Sequence, residues 1–416
     1  MRIKAEWDRL NEVIMHRPGT EITYAMFAPK AFLFERPFNY NKALDEHKEL
    51  ENILKENGIK THLLDDLIVK TADSSGEFRR KLEKKVLSLI HFYGTKESME
   101  MANNDLIKNI DYIDSESLFQ ALILELSIDL KEYVSGIEYP TVYSNIPLAN
   151  LYFMRDQQAI SDGALIGNMR MNQRKKETDI TSFVFKDIFK ENIKKIDRGY
   201  FEGGDFMPAG DFALIGVGSR TNEEGAFSAM ESGVINFDEI ALVYNPVYSF
   251  MKNRDLMVNM HLDTYFNIPA EGIAITSIEL SKIAKVRVYA KNSDGYGYGY
   301  LNETTLYDYL KSKDYNIINL GISEQLSYSS NFLTLSNNKI IAIDSEKVIK
   351  KLLKENIFDG ETKSKILKDM NIKNNKLFPE NKGIEDYGVD FIKMDLSELT
   401  GGYGGAHCMT SAVNRL

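Results

Sequence analysis

Hydrophobic and polar positions along the chain follow two periods, one helical and one extended. Over residues 40–57, apolar side chains and one histidine recur every three or four positions, a spacing typical of a helix with one buried face; they are Leu44, His47, Leu50, Ile53 and Leu54. Gly58 follows as a helix stop, and residues 59–64 have the pattern of a strand. Before them, residues 10–19 predict a short strand closed by a Pro-Gly turn.

This helix-then-strand unit recurs. Four further helix and strand pairs are predicted at residues 180–184 and 193–198, 222–233 and 239–244, 301–312 and 315–320, and 348–353 and 389–394. Hairpin signals with Gly, Asp or Asn turns precede three of these helices, at 158–166, 206–217 and 332–343. Five similar modules favour an array that closes into a ring, so that equivalent seams converge on one axis.

Three stretches interrupt the repeat. Residues 70–144 are rich in charged and helix-forming residues and predict a small helical domain inserted into a catalytic domain of residues 1–69 and 145–416. Residues 358–385 are lysine-rich and predict a solvated insertion without a catalytic role. The tyrosine-glycine run at 295–300 lacks the spacing of a phosphate loop and predicts a mobile loop, which would serve as a lid.

Composition restricts the class of protein. The 416 residues are 43% hydrophobic, enough for a large core, and the formal charge of -10 argues against a nucleic-acid partner. The absence of a long apolar run and the single cysteine predict a cytoplasmic protein in a reducing compartment, with no membrane contact. A small-molecule partner is expected, and the sequence allows a homo-oligomer.

The candidate chemistry lies in four short segments, each with reactive or charged groups near a turn. Cys408 follows a glycine-rich stretch and is a candidate nucleophile, with an inert buried thiol as the alternative. The other segments contribute Asp156, the Glu202-Gly-Gly-Asp205 run, and His261 with Asp263, which would share one face of a strand. His407 is expected to point away from Cys408, which leaves His261 as the acid/base candidate.

A thiol, a histidine and several carboxylates suit a guanidinium substrate. Carboxylates hold this planar cation by paired hydrogen bonds, and its charge favours the thiolate over the thiol. The alternatives are an ordinary turn at Asp156 and at residues 202–205, a surface pair at His261 and Asp263, and a metal site formed by His261, Asp263, Asp156 and Glu202. The residues alone leave these alternatives open.

The chain resembles the arginine deiminase family of guanidino-group-modifying enzymes over nearly its whole length. The resemblance rests on these four segments and on further motifs in the same order; they are Arg17-Pro18-Gly19, residues 170–178, Ser219-Arg220-Thr221, residues 330–335 and residues 404–409. It implies a five-bladed α/β-propeller (pentein) with ββαβ modules. It also implies hydrolysis of L-arginine to L-citrulline and ammonia without a metal or cofactor. Tyr403 departs from the pattern, because many members have arginine there.

The resemblance also implies a role for each matched residue. Cys408 corresponds to the nucleophile that forms a thiouronium-type intermediate, and His261 to the general acid and base. Asp156 and Asp263 correspond to the carboxylates that bind the guanidinium, and Glu202 to the one that orients substrate and histidine. The expected substrate-binding residues are Asn150, Arg174, Arg220 and Asp205. A deiminase or amidinotransferase for another guanidino compound is the alternative within the superfamily, and a metal-dependent hydrolase the alternative outside it.

Overall fold

The computed structural model describes residues 1–130, 140–251, 257–293, 295 and 297–416. The strands of this part of the chain are β1 Leu10–Met15, β2 Lys60–Leu63, β3 His91–Tyr93, β4 Leu126–Asp129, β5 Thr141–Ser144, β6 Gln158–Ser161, β7 Gly163–Ile166, β8 Ile193–Lys195, β9 Phe206–Ala209, β10 Phe212–Val217, β11 Glu239–Tyr244, β12 Phe266–Ala270, β13 Ile273–Thr276, β14 Lys285–Lys291, β15 Tyr298–Thr305, β16 Asn316–Asn319, β17 Leu333–Ser336, β18 Lys339–Ile343, β19 Asp390–Met394 and β20 Ser411–Arg415. The helices are α1 Glu21–Phe27, α2 Tyr40–Glu56, α3 Leu64–Ser74, α4 Gly76–Leu87, α5 Lys96–Asn109, α6 Ser115–Leu124, α7 Glu177–Phe183, α8 Glu223–Glu231, α9 Ile278–Ile283, α10 Leu306–Ser312, α11 Ile322–Gln325, α12 Ser345–Lys354, α13 Gly360–Ile372 and α14 Lys382–Asp386. Among the described residues, no helix is long and apolar enough to cross a membrane.

The small sheet β3-β4-β5 lies within residues 70–144, and its central strand β4 pairs parallel with β3 and antiparallel with β5. Outside that segment, five sheets of the described residues repeat the same mixed topology. In each, a central strand pairs antiparallel with one neighbour and parallel with the other, in the orders β20-β1-β2, β6-β7-β8, β9-β10-β11, β12-β13-β16 and β17-β18-β19. The central strands are largely buried, and β10 is buried at all six positions, as expected for strands covered on both faces. Because β20 pairs with β1, the beginning and end of the chain share one sheet.

The three hairpins predicted from turn residues are confirmed. They are β6 with β7, β9 with β10, and β17 with β18, each antiparallel around a short turn. The pattern missed the hairpin of β12 and β13, in which Pro269 and Ala270 interrupt the alternation, and it missed β14 entirely. The predicted 180–184 helix begins earlier, as α7, and continues into a π-helical turn over Val184–Ile188.

The predicted helix over residues 301–312 is wrong in its first part. Residues up to Thr305 belong to β15, which pairs antiparallel with β14 and extends the β9-β10-β11 sheet to five strands. The tyrosine and threonine residues of this segment favour a strand. Arg287 Nε of β14 donates a hydrogen bond to Glu303 Oε2 of β15 at 3.0 Å, which stabilises the strand pair. Residues 298–300 are therefore strand and not a mobile loop, and Tyr296 of the same run lies outside the described residues.

The insertion at residues 70–144 is not wholly helical. Its described residues contain α4, α5 and α6 and a small sheet of β3, β4 and β5, and residues 131–139 lie outside the description. The boundary near residue 70 falls inside α3, whose Ile68 and Ala72 join the main core. The division into two domains stays a prediction.

The lysine-rich insertion at 358–385 is partly packed and not simply solvated. Helix α13 buries Ile366 and Met370 in the main core. The backbone N–H of Phe378 and the side-chain amide of Asn381 both donate to Glu324 Oε1 at 2.9 Å. Apolar positions at helical spacing within the lysines explain this difference.

Candidate active site

The Cys408 loop is held in place by close backbone packing. Tyr403, at φ 73°, turns the chain after the 3-10 helix Leu399–Gly402. A Cβ on Gly404 would lie 2.6 Å from Phe153 Cε1 and 3.2 Å from Cys408 Sγ, so only glycine fits beside the sulfur. The N–H of Arg155 donates to the Cys408 carbonyl at 3.0 Å, which fixes the Asp156 segment against the loop.

The thiol of Cys408 is buried and contacts a carboxylate and an amide. It lies 3.3 Å from Asp263 Oδ2, and Asn331 Nδ2 donates to Sγ at 3.0 Å. Asn331 Oδ1 also accepts from the Cys408 N–H at 3.0 Å. Burial, together with the negative charges of Asp263 and Asp156, raises the pKa of the Cys408 thiol well above its ordinary value. A cation between these carboxylates would offset that effect.

His261 lies between two carboxylates. Its Nε2 is 2.9 Å from Glu202 Oε2 and its Nδ1 is 3.6 Å from Asp156 Oδ1, with all three side chains buried. Burial opposes the charged ring, but Asp156, Glu202 and Asp205 outweigh it and raise the pKa of His261 to about 9. Burial likewise opposes the Glu202 carboxylate, yet the hydrogen bond to His261 and the charge of Arg220 lower its pKa to about 2. The ring is therefore an imidazolium at neutral pH.

The two glycines between Glu202 and Asp205 let the backbone approach His261. A Cβ on Gly203 would lie 2.1 Å from the Gln158 carbonyl oxygen. A Cβ on Gly204 would lie 2.8 Å from both Asp156 Oδ1 and His261 Nδ1. The glycine pair is thus required by close packing against the acid/base candidate, and the ordinary-turn interpretation of this run is insufficient.

His261 and Asp263 do not share a strand face as predicted. Leu262–Thr264 form a 3-10 turn, and His261 is the extended residue before it. The turn directs the imidazole toward Glu202 and the Asp263 carboxylate toward Cys408. Asp205 supports this turn because its Oδ1 accepts the Leu262 N–H at 3.0 Å. Burial raises the pKa of Asp205 to about 7, against the charge of His261 and its hydrogen bonds.

Arg174 is engaged by protein carboxylates. Its NH1 lies 2.5 Å from Asp156 Oδ2 and its NH2 lies 2.9 Å from Glu177 Oε2. The NH2 also approaches the Asn150 carbonyl at 3.4 Å, and Asn150 Nδ2 donates to the Phe32 carbonyl at 2.8 Å. Arg174 therefore orients Asp156 in this structure, and the roles of Arg174 and Asn150 toward a substrate carboxylate stay predictions.

Arg220 is buried, and its guanidinium contacts two methionine sulfurs. Its NH2 is 2.9 Å from Met257 Sδ and 3.7 Å from Met260 Sδ, which are weak acceptors. Its NH1 is buried and has no hydrogen-bond partner among the described residues. A buried unpaired guanidinium nitrogen is costly, so an anionic group of a ligand suits this position.

Two carboxylate oxygens of the candidate site also have no hydrogen-bond partner in the described part of the chain. They are Asp156 Oδ1 and Asp263 Oδ1, and both are buried. Buried acceptors normally have donors. A planar cation with several N–H groups would satisfy both oxygens and lie between the sulfur and the imidazolium.

Within the described part of the chain, one group of side chains could bind a divalent metal. Asp156, Glu202 and His261 offer ligand atoms within 4.8 Å of one another. The fourth residue of the predicted metal alternative, Asp263, is engaged by Cys408 and by His407. These groups already have protein partners, because Arg174 NH1 contacts Asp156 Oδ2 and His261 Nε2 contacts Glu202 Oε2. The positive charges of Arg174 and His261 beside these carboxylates disfavour a divalent cation there.

Sequence reasoning missed three side chains at this site. Asn331, whose side-chain amide donates to the sulfur, lies in the matched motif at residues 330–335, but the sequence assigned it no role. His407 does not point away, because its Nδ1 lies 2.7 Å from Asp263 Oδ2. Glu6 lies 3.6 Å from the other ring nitrogen of His407. Nothing in the local pattern marked Glu6, whose contact spans the whole chain.

Comparison with known proteins gives consistent matches. Residues 30–415 match the family model described as arginine deiminase. A protein named arginine deiminase from Halobacterium salinarum is 24% identical to this chain, over 99% of this chain and 96% of its own length. A protein of the same name from Borreliella afzelii is 27% identical, over 100% of this chain and 98% of its own length. The solved structure of an amidinotransferase from Microseira wollei, which acts in a saxitoxin biosynthetic pathway, superposes on this chain with a TM-score of 0.53. The two are 13% identical in sequence, and the match covers 100% of this chain and 97% of the amidinotransferase. This last likeness shows a shared mixed α/β fold alone.

Proposed function

The chain belongs to the arginine deiminase family, whose members are hydrolases acting on C–N bonds of amidines, and we propose that it converts L-arginine and water to L-citrulline and ammonia. One observation carries this proposal more than any other. Among the described residues, the buried oxygens Asp156 Oδ1 and Asp263 Oδ1 have no hydrogen-bond donor, and a substrate guanidinium near the Cys408 thiol supplies such donors.

In the first half-reaction the substrate completes the charge balance. Its guanidinium binds between Asp156 and Asp263 and offsets the charges that oppose the thiolate. Asp263, the acceptor of the thiol hydrogen bond, takes the thiol proton as Cys408 Sγ bonds to the central guanidinium carbon. The imidazolium of His261 donates a proton to the departing nitrogen, the C–N bond breaks, and ammonia leaves.

The second half-reaction uses the same groups in reverse. Neutral His261 takes a proton from water, and the resulting hydroxide attacks the carbon of the thiouronium-type intermediate. The C–S bond breaks, Asp263 returns its proton to the sulfur, and the remaining carbon-bound hydroxyl loses a proton to give the citrulline carbonyl. This proton combines in solution with the ammonia released in the first half-reaction to give ammonium. Glu202 stays anionic and holds His261 throughout.

The five repeated sheets also suggest how the whole chain is arranged. We propose that the five repeated sheets close into a five-bladed α/β-propeller, supported by the pairing of β20 with β1. Residues 70–144 would then be an insertion into the first blade of a catalytic domain formed by residues 1–69 and 145–416. Such closure explains how segments far apart in sequence, such as Asp156, His261 and Cys408, meet at one buried site.

A product assay tests the function. Purified protein is incubated with arginine, agmatine and methylated arginines, and citrulline, ammonia and ornithine are measured. Citrulline with equimolar ammonia from arginine is expected, and Cys408→Ala should abolish both. Ornithine without citrulline in the presence of an amine would instead indicate an amidinotransferase. Turnover of another guanidino compound but not of arginine would overturn the proposed substrate.

A further inference from the structure

Two methionine sulfurs lie against the buried guanidinium of Arg220. Its NH2 is 2.9 Å from Met257 Sδ and 3.7 Å from Met260 Sδ, and its NH1 has no hydrogen-bond partner in the described part of the chain. A thioether sulfur is a weak acceptor, so Arg220 keeps donors for an anionic group. Burial opposes the Glu202 carboxylate, whereas the hydrogen bond from His261 and the charge of Arg220 lower its pKa, so Arg220 lies near the acid/base candidate.

The two methionines differ in exposure. Met260 is 5% exposed, and its backbone is fixed because Asn245 Nδ2 donates to its carbonyl at 3.2 Å. Met257 is only partly buried and packs against the main core. The reaction of methionine with peroxides gives the sulfoxide, and it requires access of the reagent to the sulfur. A small peroxide therefore reaches Met257 more readily than Met260.

The thiol of Cys408 is protected from the same reagent. It is 2% exposed, and burial together with the charges of Asp263 and Asp156 raises its pKa well above the ordinary value. The thiolate is the form of cysteine that reacts with peroxides, and the raised pKa keeps its population small. A thioether has no proton to lose, so its oxidation needs no such ionisation. We expect peroxide to modify Met257 before Cys408.

We propose that Met257 is an oxidation site at which peroxides lower the affinity of the protein for its substrate. The sulfur lone pair attacks one oxygen of hydrogen peroxide and the O–O bond breaks. The transferred oxygen passes its proton to the departing hydroxide, which leaves as water, and methionine sulfoxide remains. Sulfur is oxidised by two electrons, and the peroxide is reduced by two.

The new oxygen changes what Arg220 contacts. A sulfoxide oxygen is a much stronger acceptor than a thioether sulfur, and at Met257 it would take donors of Arg220 that a substrate carboxylate needs. This inference rests on the proposed function, because Arg220 is taken to bind the α-carboxylate of arginine. A hydrogen bond to a charged group changes affinity by about 10- to 100-fold, so KM for arginine should rise within that range while kcat changes little.

Peroxide treatment of the purified protein tests the site. The treated protein is mapped by peptide mass spectrometry and assayed for citrulline formation from arginine. The expected result is one added oxygen on the peptide of Met257, a Cys408 that still reacts with iodoacetamide after denaturation, and KM raised about 10- to 100-fold. Methionine sulfoxide reductases A and B, supplied with a thiol reductant, should restore the original KM.

Three variants separate this site from general oxidation. Met257→Leu preserves the size of the side chain without an oxidisable sulfur, so its own KM should not change on treatment. Met257→Gln places an amide oxygen near Arg220 and should raise KM without peroxide, which gives a second test if the leucine variant fails to fold. The matched control is Met101, which is 56% exposed on α5. Met101→Leu should have wild-type activity and should respond to peroxide as the wild type does.

The outcomes distinguish the inference from the proposed function. Wild-type protein that releases no citrulline before treatment would refute the proposed function, whatever happens at Met257. An active wild type whose Met257 gains oxygen without a rise in KM would refute the inference alone. An equal rise in KM for peroxide-treated Met257→Leu, or oxidation of Cys408 ahead of Met257, would also contradict it.

Discussion

The contact between Glu202 and His261 gives the sharpest pH-dependent prediction. Glu202→Gln preserves the shape of the side chain and the acceptor for the Arg170 N–H at 3.0 Å, but it removes the negative charge beside Nε2. The imidazolium is the proposed proton donor to ammonia. Activity should therefore fall as pH rises through the pKa of His261, and a lower pKa should move this base limb to lower pH.

The magnitude follows from the environment of the ring. A pKa raised from 6.5 to about 9 corresponds to roughly 3 kcal/mol of preference for the charged form. Burial opposes the charged form, and the negative charges of Asp156, Glu202 and Asp205 favour it. Removing the charge of Glu202 should therefore lower the pKa of His261 by about 1. The stability linked to this histidine is complete below pH 6.5 and is lost as pH rises through about 9, so the variant should lose it at lower pH.

The assay is the pH dependence of kcat/KM for citrulline formation between about pH 5 and 10, because kcat/KM reports the pKa values of the free protein. The NMR titration of the His261 ring in Cys408→Ala and in the Cys408→Ala/Glu202→Gln double variant is the direct measure. The base limb should lie near pH 9 in the wild type and about one unit lower in Glu202→Gln. A base limb that stays in place while the NMR pKa falls would show that His261 is not the proton donor. An unchanged NMR pKa would refute the electrostatic reasoning.

Three further predictions follow from the same geometry. Gly204→Ala should reduce kcat/KM for citrulline formation at least about 100-fold, because its Cβ would displace Asp156 or His261. The control Gly360→Ala, whose Cβ would meet open space, should be fully active in the same assay. The raised pKa of Asp205 means that the wild type loses stability as pH rises toward about 7, and urea unfolding should show a loss of about 2 kcal/mol between pH 5.5 and 8.5. Asp205→Asn should remove this loss, and a variant that shows the same loss would contradict the prediction. EDTA should leave citrulline formation unchanged while iodoacetamide stops it, and the opposite pattern would favour a metal site at Asp156, Glu202 and His261.

Repeated periodicity made much of the fold predictable. Helix α2 and the hairpins around Gly163 and Gly210 follow directly from apolar spacing and turn residues. The strand β15 was missed because its exposed positions have no clear alternation, and its partner β14 decides its conformation. Strand pairing is a long-range interaction, which a local pattern does not contain.

The residue types and motifs of the sequence predicted which side chains would lie together, and their roles stay predictions. Cys408, His261, Asp156, Asp263 and Glu202 are brought together in one buried region. What the motif could not give is orientation. The 3-10 turn after His261 separates the imidazole from Asp263, and Arg174 is turned to Asp156 and Glu177.

The partners of the nucleophile required three-dimensional information. His407 was expected to face away because neighbouring side chains usually diverge, yet both it and Cys408 reach Asp263 from the tight turn that the preceding glycines allow. Glu6 lies 401 positions before His407 in the chain and meets it only because β20 pairs with β1. Such contacts have no local sequence signal.

The central claim is that sulfur bonds to the amidino carbon of arginine between two carboxylates. Rapid acid quench of wild-type protein during turnover, followed by peptide mass mapping, tests it directly. The claim predicts a transient adduct with the mass of arginine less ammonia on the peptide that contains Cys408. An adduct confined to another residue, or citrulline released at the wild-type rate by Cys408→Ala under the same conditions, would contradict it.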